Sequence, residues 1–146
     1  MLLTPTVKVA KQDEQREQAF AIRRKVFVEE QKVPLSLEMD EWENDSIHFV
    51  LYDGDKAVGT GRLRPWEGQS GKVERVAVLQ DYRGQGSGRI IMKAIEEYAR
   101  KLGMIRLVLN AQVQAQKFYE SLGFQVEGDI FLDAGIEHIK MTKALS

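Results

Sequence analysis

The segment Arg83-Gly84-Gln85-Gly86-Ser87-Gly88 sets glycine at alternate positions between an apolar run, residues 73–79, and a strongly amphipathic stretch, residues 87–102. A strand, a glycine loop and a helix N-terminus in that order form an anion cradle. Glycine lets backbone N–H groups approach a phosphate with no Cβ in the way, and the first helical turn adds unpaired donors and a partial positive charge. The guest implied is a phosphorylated cofactor.

Two common owners of such loops are excluded by the neighbouring residues. No Gly-Lys-Ser/Thr follows to grip phosphates and magnesium, which removes a nucleotide hydrolase. Arg89 stands where the third glycine of a dinucleotide fingerprint belongs. The chain of 146 residues carries a formal net charge of −1 and no basic run, so it offers no field for nucleic acid. It has no cysteine, which excludes disulfides, thiolate metal sites and a cysteine nucleophile. Two histidines with scattered acids make no metal-ligand spacing. With no export signal and no stretch long enough to span a bilayer, the expectation is one cytoplasmic domain covering residues 1–146.

The hydrophobic pattern orders the remainder. Residues 2–9 read as a strand, and Asp13 caps a helix through about Val28 with Ala19, Phe20, Ile22, Val26 and Phe27 at helical spacings. Pro34 lies beyond its end, and the acidic residues 38–45 read as an irregular or short helical connector with a solvated surface. A hairpin of residues 47–52 and 57–64 turns at Asp53-Gly54-Asp55, and a third strand runs over 72–79. In that strand Val73 and Val76 are three apart, so a β-bulge is needed to put Val73, Val76 and Val78 on one face. The helix over 87–102 has Ile90, Ile91, Ala94, Ile95, Tyr98, Ala99 and Leu102 on one side. A buried strand over 104–109 follows, then Asn110 as a cap, a helix carrying Ala115, Phe118, Tyr119 and Leu122, and a hairpin of residues 124–132 and 136–143 interrupted at Gly128.

This order, with the glycine loop after the fourth strand, resembles the GCN5-related N-acetyltransferases. Arg83 to Gly88 fits that family's Q/R-x-x-G-x-G/A loop, and residues 115–124 (AQKFYESLGF) look like its A-x-x-F-Y-x-x-x-G-F segment. A narrower likeness, to the ElaA/YjcF-like subgroup, rests on residues 22–31 (IRRKVFVEEQ), His48, Arg75-Val76-Ala77-Val78, Ala111-Gln112 and Gly135-Ile136-Glu137-His138. Glu137 departs from it, standing where the subgroup usually has proline.

The resemblance implies an α/β fold with a mixed, mostly antiparallel sheet splayed between strands 4 and 5, and acetyl-CoA in the gap. Val76, Ala77 and Val78 would hold the pantetheine arm, and Arg83, Gly84, Gln85, Gly86, Ser87, Gly88 and Arg89 the pyrophosphate. Asn110 would face the cofactor and Tyr119 would point at the sulfur.

Acetyl transfer from a thioester to an amine needs a neutral nucleophile, a stabilised oxyanion and often a proton for the departing thiolate. The N–H of Val76 or Val78 could polarise the carbonyl, and Tyr119 could protonate or hydrogen-bond the sulfur. Glu74, Glu30, His48 and His138 are the possible bases. Arg23 could pair with Glu30 or bind a substrate carboxylate, an intramolecular ion pair being the favoured alternative, and possible convergence of Arg23, Glu30, His48 and His138 points to a substrate pocket. The expected activity is N-acetylation of a small primary amine. A non-catalytic acyl-CoA module and transfer of a longer acyl group are the competing readings, and a homodimer is a plausible assembly.

Overall fold

A computed structural model describes residues 4–145. Its strands β1 (Pro5–Val9), β2 (Ile47–Asp53), β3 (Lys56–Trp66), β4 (Ser70–Val78), β5 (Arg106–Gln112), β6 (Gln125–Val126), β7 (Phe131–Asp133) and β8 (Ile136–Ala144) form one sheet. The order across it is β1-β2-β3-β4-β5-β8-β6, with β7 also on β8. Every pair is antiparallel except β4 with β5. The mixed, mostly antiparallel sheet is as expected. Of the anticipated first strand, Leu2 and Leu3 lie outside the described residues.

Alternation along β2 covers both faces of the sheet. Phe49 and Leu51 join the main core with Ile91, Met92, Ile95 and Ala99 of α3 (Ser87–Lys101), while Val50 and Tyr52 pack with Ala19 of α1 (Asp13–Arg23). Leu102, expected on the buried stripe of α3, is 51% exposed. It is the C-cap, one residue past the end of α3, and the chain reverses immediately after it. Gly103 takes φ 81°, with its N–H on the Arg100 carbonyl and the Met104 N–H on the Ala99 carbonyl, so the helix ends before another turn can face the sheet.

Helix α3 lies close to the sheet because β3 has no side chain at Gly59 and Gly61. A Cβ on Gly61 would come within 2.8 Å of Ile95 Cδ1 and 3.1 Å of Ile91 Cγ2, both fully buried. Gly61→Ala is therefore expected to cost about 1–3 kcal/mol by overpacking. Urea denaturation reads this directly; an unchanged midpoint would show that α3 can move away freely.

Two departures shape the cleft. The first helix does not simply end near Val28: from Arg24–Glu30 it widens into a π-helical segment, closed by the Gln31 N–H on the Val26 carbonyl at 3.1 Å. A four-residue helix α2 (Leu35–Glu38) follows and leads into the acidic connector. Asn110 is also not a helix cap. It lies inside β5, paired with Lys140 of β8, and α4 (Gln116–Ser121) begins only after a short 3₁₀ turn at Val113–Ala115. Pairing with β8 extends that strand past the local capping signal.

Candidate active site

The parallel pairing of β4 with β5 runs from Ser70↔Arg106 to Val73↔Leu109 and stops. Beyond it β4 stays on β3 and β5 stays on β8, so the sheet parts in a V. Between Thr60 and Arg62 on β3 there are two steps, while their partners Ala77 and Glu74 on β4 are three apart. This is the bulge that the valine spacing demanded. It turns Val73, Val76 and Val78 to the main core and Ala77 to Ile22 and Val26 on the other face. Arg75 within it has φ 56°, a conformation that costs a side-chain-bearing residue about 1–2 kcal/mol.

Along the V runs a cleft of about 510 Å³. The β4 wall supplies Val73 to Val78, the β5 wall Leu109 to Gln112, and the π-helical segment Val26 and Phe27. Arg83, Tyr119, His138, Leu37 and Glu38 also line it. Two contacts fasten the π-helical region to the opposite walls: Gln112 Nε2 donates to Gln31 Oε1 at 2.8 Å, and Arg83 Nη2 donates to Glu30 Oε2 at 2.8 Å.

The glycine loop is built as a cradle. Gly84 at φ 72° and Gly86 at φ 84° adopt the left-handed conformation, and Gly86 caps α3. Gly88 serves a different need: a Cβ there would lie 3.1 Å from the Phe118 ring. The first N–H with a partner inside α3 is that of Ile90, on the Gly86 carbonyl, so those of Ser87, Gly88 and Arg89 precede the helical ladder. Side chains brace the loop from outside. Arg83 Nε donates to the Val78 carbonyl, Gln85 Nε2 to that of Asp81 and Ser87 Oγ to that of Tyr82. Arg89 reaches Ser121 Oγ at 3.0 Å, tying α3 to α4.

Tyr119 is set by a short helix and its ending. The Phe124 N–H returns to the Tyr119 carbonyl at 3.1 Å, Gly123 takes φ 96°, and the Tyr119 ring meets Phe118 and Phe124 edge-on at 5.0 and 5.8 Å. Burial pushes its phenol up to about 12. At neutral pH it is a donor.

The acidic and basic candidates are redistributed. Glu74 reaches the cleft, but not as a free carboxylate: Arg62 and Arg64 donate to its Oε1 at 2.8 and 2.6 Å. Burial alone would raise its pKa; the Arg64 bond and the Arg62 charge outweigh burial and hold it below the usual carboxylate range. That is the opposite of what a base near neutral pH requires.

Arg23 does not meet Glu30 or line the cleft. It is 1% exposed and bound to Glu38 at 2.9 Å and Glu43 at 2.8 Å. His48 is likewise buried away from the cleft against Phe20, with Nε2 at 2.8 Å from the Glu43 carbonyl, and burial lowers its pKa so the ring stays neutral. Glu30 is exposed beside Arg83. The structure does not bring Arg23, Glu30 and His48 together; the arginine is drawn to the acidic connector instead. Only His138 of the four lines the cleft. Its Nδ1 lies 2.7 Å from the Ile136 carbonyl, which assigns the proton to Nδ1 and leaves Nε2 as an acceptor.

The sequence reading missed Glu38, Lys72 and Gln31, all of which line the cleft. Glu38 was read as part of a solvated acidic surface and is 1% exposed. Glu38, Asp40 and Glu43 are gathered by three arginines, Arg23, Arg62 and Arg75, from three separate elements. Charge alternation in the sequence cannot reveal such a set.

Comparison with known proteins agrees with this architecture. A model of the acetyltransferase (GNAT) domain matches residues 10–145. The chain is 50% identical over 136 residues to YjcF of Bacillus subtilis strain 168, named an uncharacterised N-acetyltransferase, covering 92% of this chain and 96% of that one. A provisionally assigned N-acetyltransferase from Lactobacillus plantarum superimposes with a TM-score of 0.92 at 29% identity, covering 99% of this chain and 100% of that one. Escherichia coli ElaA shares the fold with a TM-score of 0.85 at 23% identity, over 96% and 99% of the two chains. With its splayed sheet, bulged β4 and glycine cradle, the chain belongs to the GCN5-related N-acetyltransferase family, in its ElaA/YjcF-like subgroup.

Proposed function

We propose that the protein transfers an acetyl group from acetyl-CoA to the primary amine of a small acceptor, by direct attack while both are bound. Acyl transfer from an acyl-CoA donor is the activity of the family; the acetyl group, the amine and the ternary complex are our reading. The observation that carries it is the junction of a parted β4/β5 edge, a bulge and Tyr119 along one cleft, with the glycine cradle adjoining it at Arg83.

In this reading the backbone of Val76, Ala77 and Val78 lies along the pantetheine arm, using the β4 edge that β5 no longer pairs. The loop from Arg83 to Gly88 and the first N–H groups of α3 hold the pyrophosphate. Asn110 faces the arm from β5. The N–H of Val76 or Val78 receives the developing oxyanion, and Tyr119 donates to the departing sulfur. His138 Nε2 takes the proton of the amine. The amine nitrogen bonds to the acyl carbon, the C–S bond breaks, and coenzyme A leaves as the thiol once the proton is returned to sulfur.

Saturating acetyl-CoA is expected to raise the melting temperature by roughly 5–10 °C, as binding at a hundredfold excess over Kd adds about 2.7 kcal/mol. A folded sample that shows no shift would sink the proposal. The second reading, a non-catalytic acyl-CoA module, draws on the ion-paired state of Glu74, which leaves the β4 wall without a free base. Thiol release across a panel of amines separates the two; release with none of them favours the module.

A further inference from the structure

Arg83 makes two contacts from one guanidinium. Its Nη2 donates to Glu30 Oε2 at 2.8 Å, and its Nε donates to the Val78 carbonyl at 2.9 Å. The first contact reaches the π-helical segment, of which Glu30 is the last residue. The second lands on the open edge of β4. Leu79 donates its N–H to the Val58 carbonyl and Gly59 faces Val78. Hydrogen-bonded pairs alternate along an antiparallel ladder, so the N–H and C=O of Val78 turn away from β3. Pairing of β4 with β5 has already stopped at Val73↔Leu109, which leaves that edge to the cleft. The guanidinium therefore stands at the edge along which the pantetheine arm would run.

Both partners are within reach of a ligand. The Arg83 side chain is 43% exposed and lines the cleft, and that of Glu30 is 31% exposed. A coenzyme A pyrophosphate would come to the loop that begins at Arg83, where the Glu30 carboxylate already sits. Carboxylate and pyrophosphate repel each other, and both seek the same N–H donors. The second fastening of the π-helical segment, Gln112 Nε2 to Gln31 Oε1 at 2.8 Å, is between neutral amides and is not drawn to an anion.

We propose that Arg83 is a latch that acyl-CoA opens. In the free protein it ties the π-helical wall of the cleft to the glycine loop through Glu30; on binding, it turns to the pyrophosphate and gives up Glu30. This rests on the acyl-CoA reading and adds to it a coupling between the donor seat and the opposite wall. Glu30 competes with the cofactor for one guanidinium, so it works against binding. The Gln31–Gln112 pair remains as the tie to β5.

The test is calorimetric titration of acetyl-CoA into the wild type, Glu30→Gln, Arg83→Gln, the double variant and Glu29→Gln, which removes the same charge one residue away. All three positions are exposed, so the variants should keep the fold. Glu30→Gln is expected to tighten acetyl-CoA by about two- to fivefold, the range that an exposed ion pair supports. Glu29→Gln should do clearly less, and Glu30→Gln should have little effect once Arg83 is glutamine, because the competition needs the guanidinium. Hydrogen exchange supplies a second readout. Over residues 24–31 the free Glu30→Gln protein should exchange faster than the free wild type, and saturating acetyl-CoA should erase that difference. Weaker or unchanged binding by Glu30→Gln, equal tightening by Glu29→Gln, undiminished tightening in the Arg83→Gln background, or an exchange difference that survives saturation would each overturn the latch while leaving the acyl-CoA reading in place. Failure of acetyl-CoA to bind any of the five proteins would overturn both.

Discussion

Tyr119→Phe is expected to lower kcat by about ten- to a hundredfold and to leave acetyl-CoA affinity within about twofold. The magnitude follows from the environment of the phenol. Burial lifts it to about 12, whereas an alkyl thiol of the cysteine kind has a pKa of about 8.5, so full proton transfer from Tyr119 to a thiolate is uphill. In the proposed reaction Tyr119 would therefore serve as a hydrogen-bond donor to the sulfur as negative charge builds on it. A hydrogen bond to a charged group contributes about 1.5–3 kcal/mol, and each 1.36 kcal/mol is a factor of ten in rate. The Phe variant keeps the ring contacts with Phe118 and Phe124, so the fold should hold. Steady-state turnover with acetyl-CoA, beside calorimetric binding of the cofactor, measures both quantities. Unchanged turnover would remove Tyr119 from the chemistry, and a loss confined to affinity would make it a binding residue.

The largest loss of stability is expected from Arg62→Ala. This guanidinium is fully buried on β3 and contacts Asp40 at 2.8 Å, Glu43 at 3.1 Å and Glu74 at 2.8 Å. Removing one partner of a buried ionic set leaves the others uncompensated, at about 3–5 kcal/mol, or roughly 6–20 °C in Tm for a chain of this size. The sign of the pH dependence follows from the carboxylates. Burial works to raise Glu43, but hydrogen bonds from Arg23 and the Asp40 N–H, with the charges of Arg23 and Arg62, bring it down to about 2. Glu74 is lowered as well. A carboxylate depressed in the folded state adds stability that is complete above its unfolded pKa, about 4.3, and is lost as the pH falls toward the folded value. The wild type should therefore lose stability between about pH 5 and pH 2, and its advantage over Arg62→Ala should narrow across that window. Melting curves at stepped pH test this. A gap that stays constant would show that Arg62 stabilises through packing alone.

Local signals were legible wherever the deciding forces act within a few residues. Glycine spacing marked the loop, periodicity marked α3, and the three-residue step from Val73 to Val76 required the bulge that the β3 register contains. The same local logic failed at Asn110, a good cap by residue type that seven paired positions between β5 and β8 hold in a strand. It failed again at residues 38–45, where acidity suggested solvent. The arginines that bury Glu38 come from α1 and β4, 15 and 37 positions away in the chain. No periodicity carries that information.

Sequence by itself determined the elements of the proposed donor side: a glycine cradle at a helix N-terminus, the strand before it and Tyr119 after it, because backbone conformation and helix ends are set by neighbouring residues. Tertiary structure alone decided where the remaining candidate side chains lie. It withdrew Arg23 and His48 into the interior, locked Glu74 between arginines and buried Glu38 against Arg23 and Arg75. Those outcomes depend on which distant charges meet once β3, β4, α1 and α2 pack together. Desolvation makes each such meeting strongly favourable or strongly costly only after the core has closed around it.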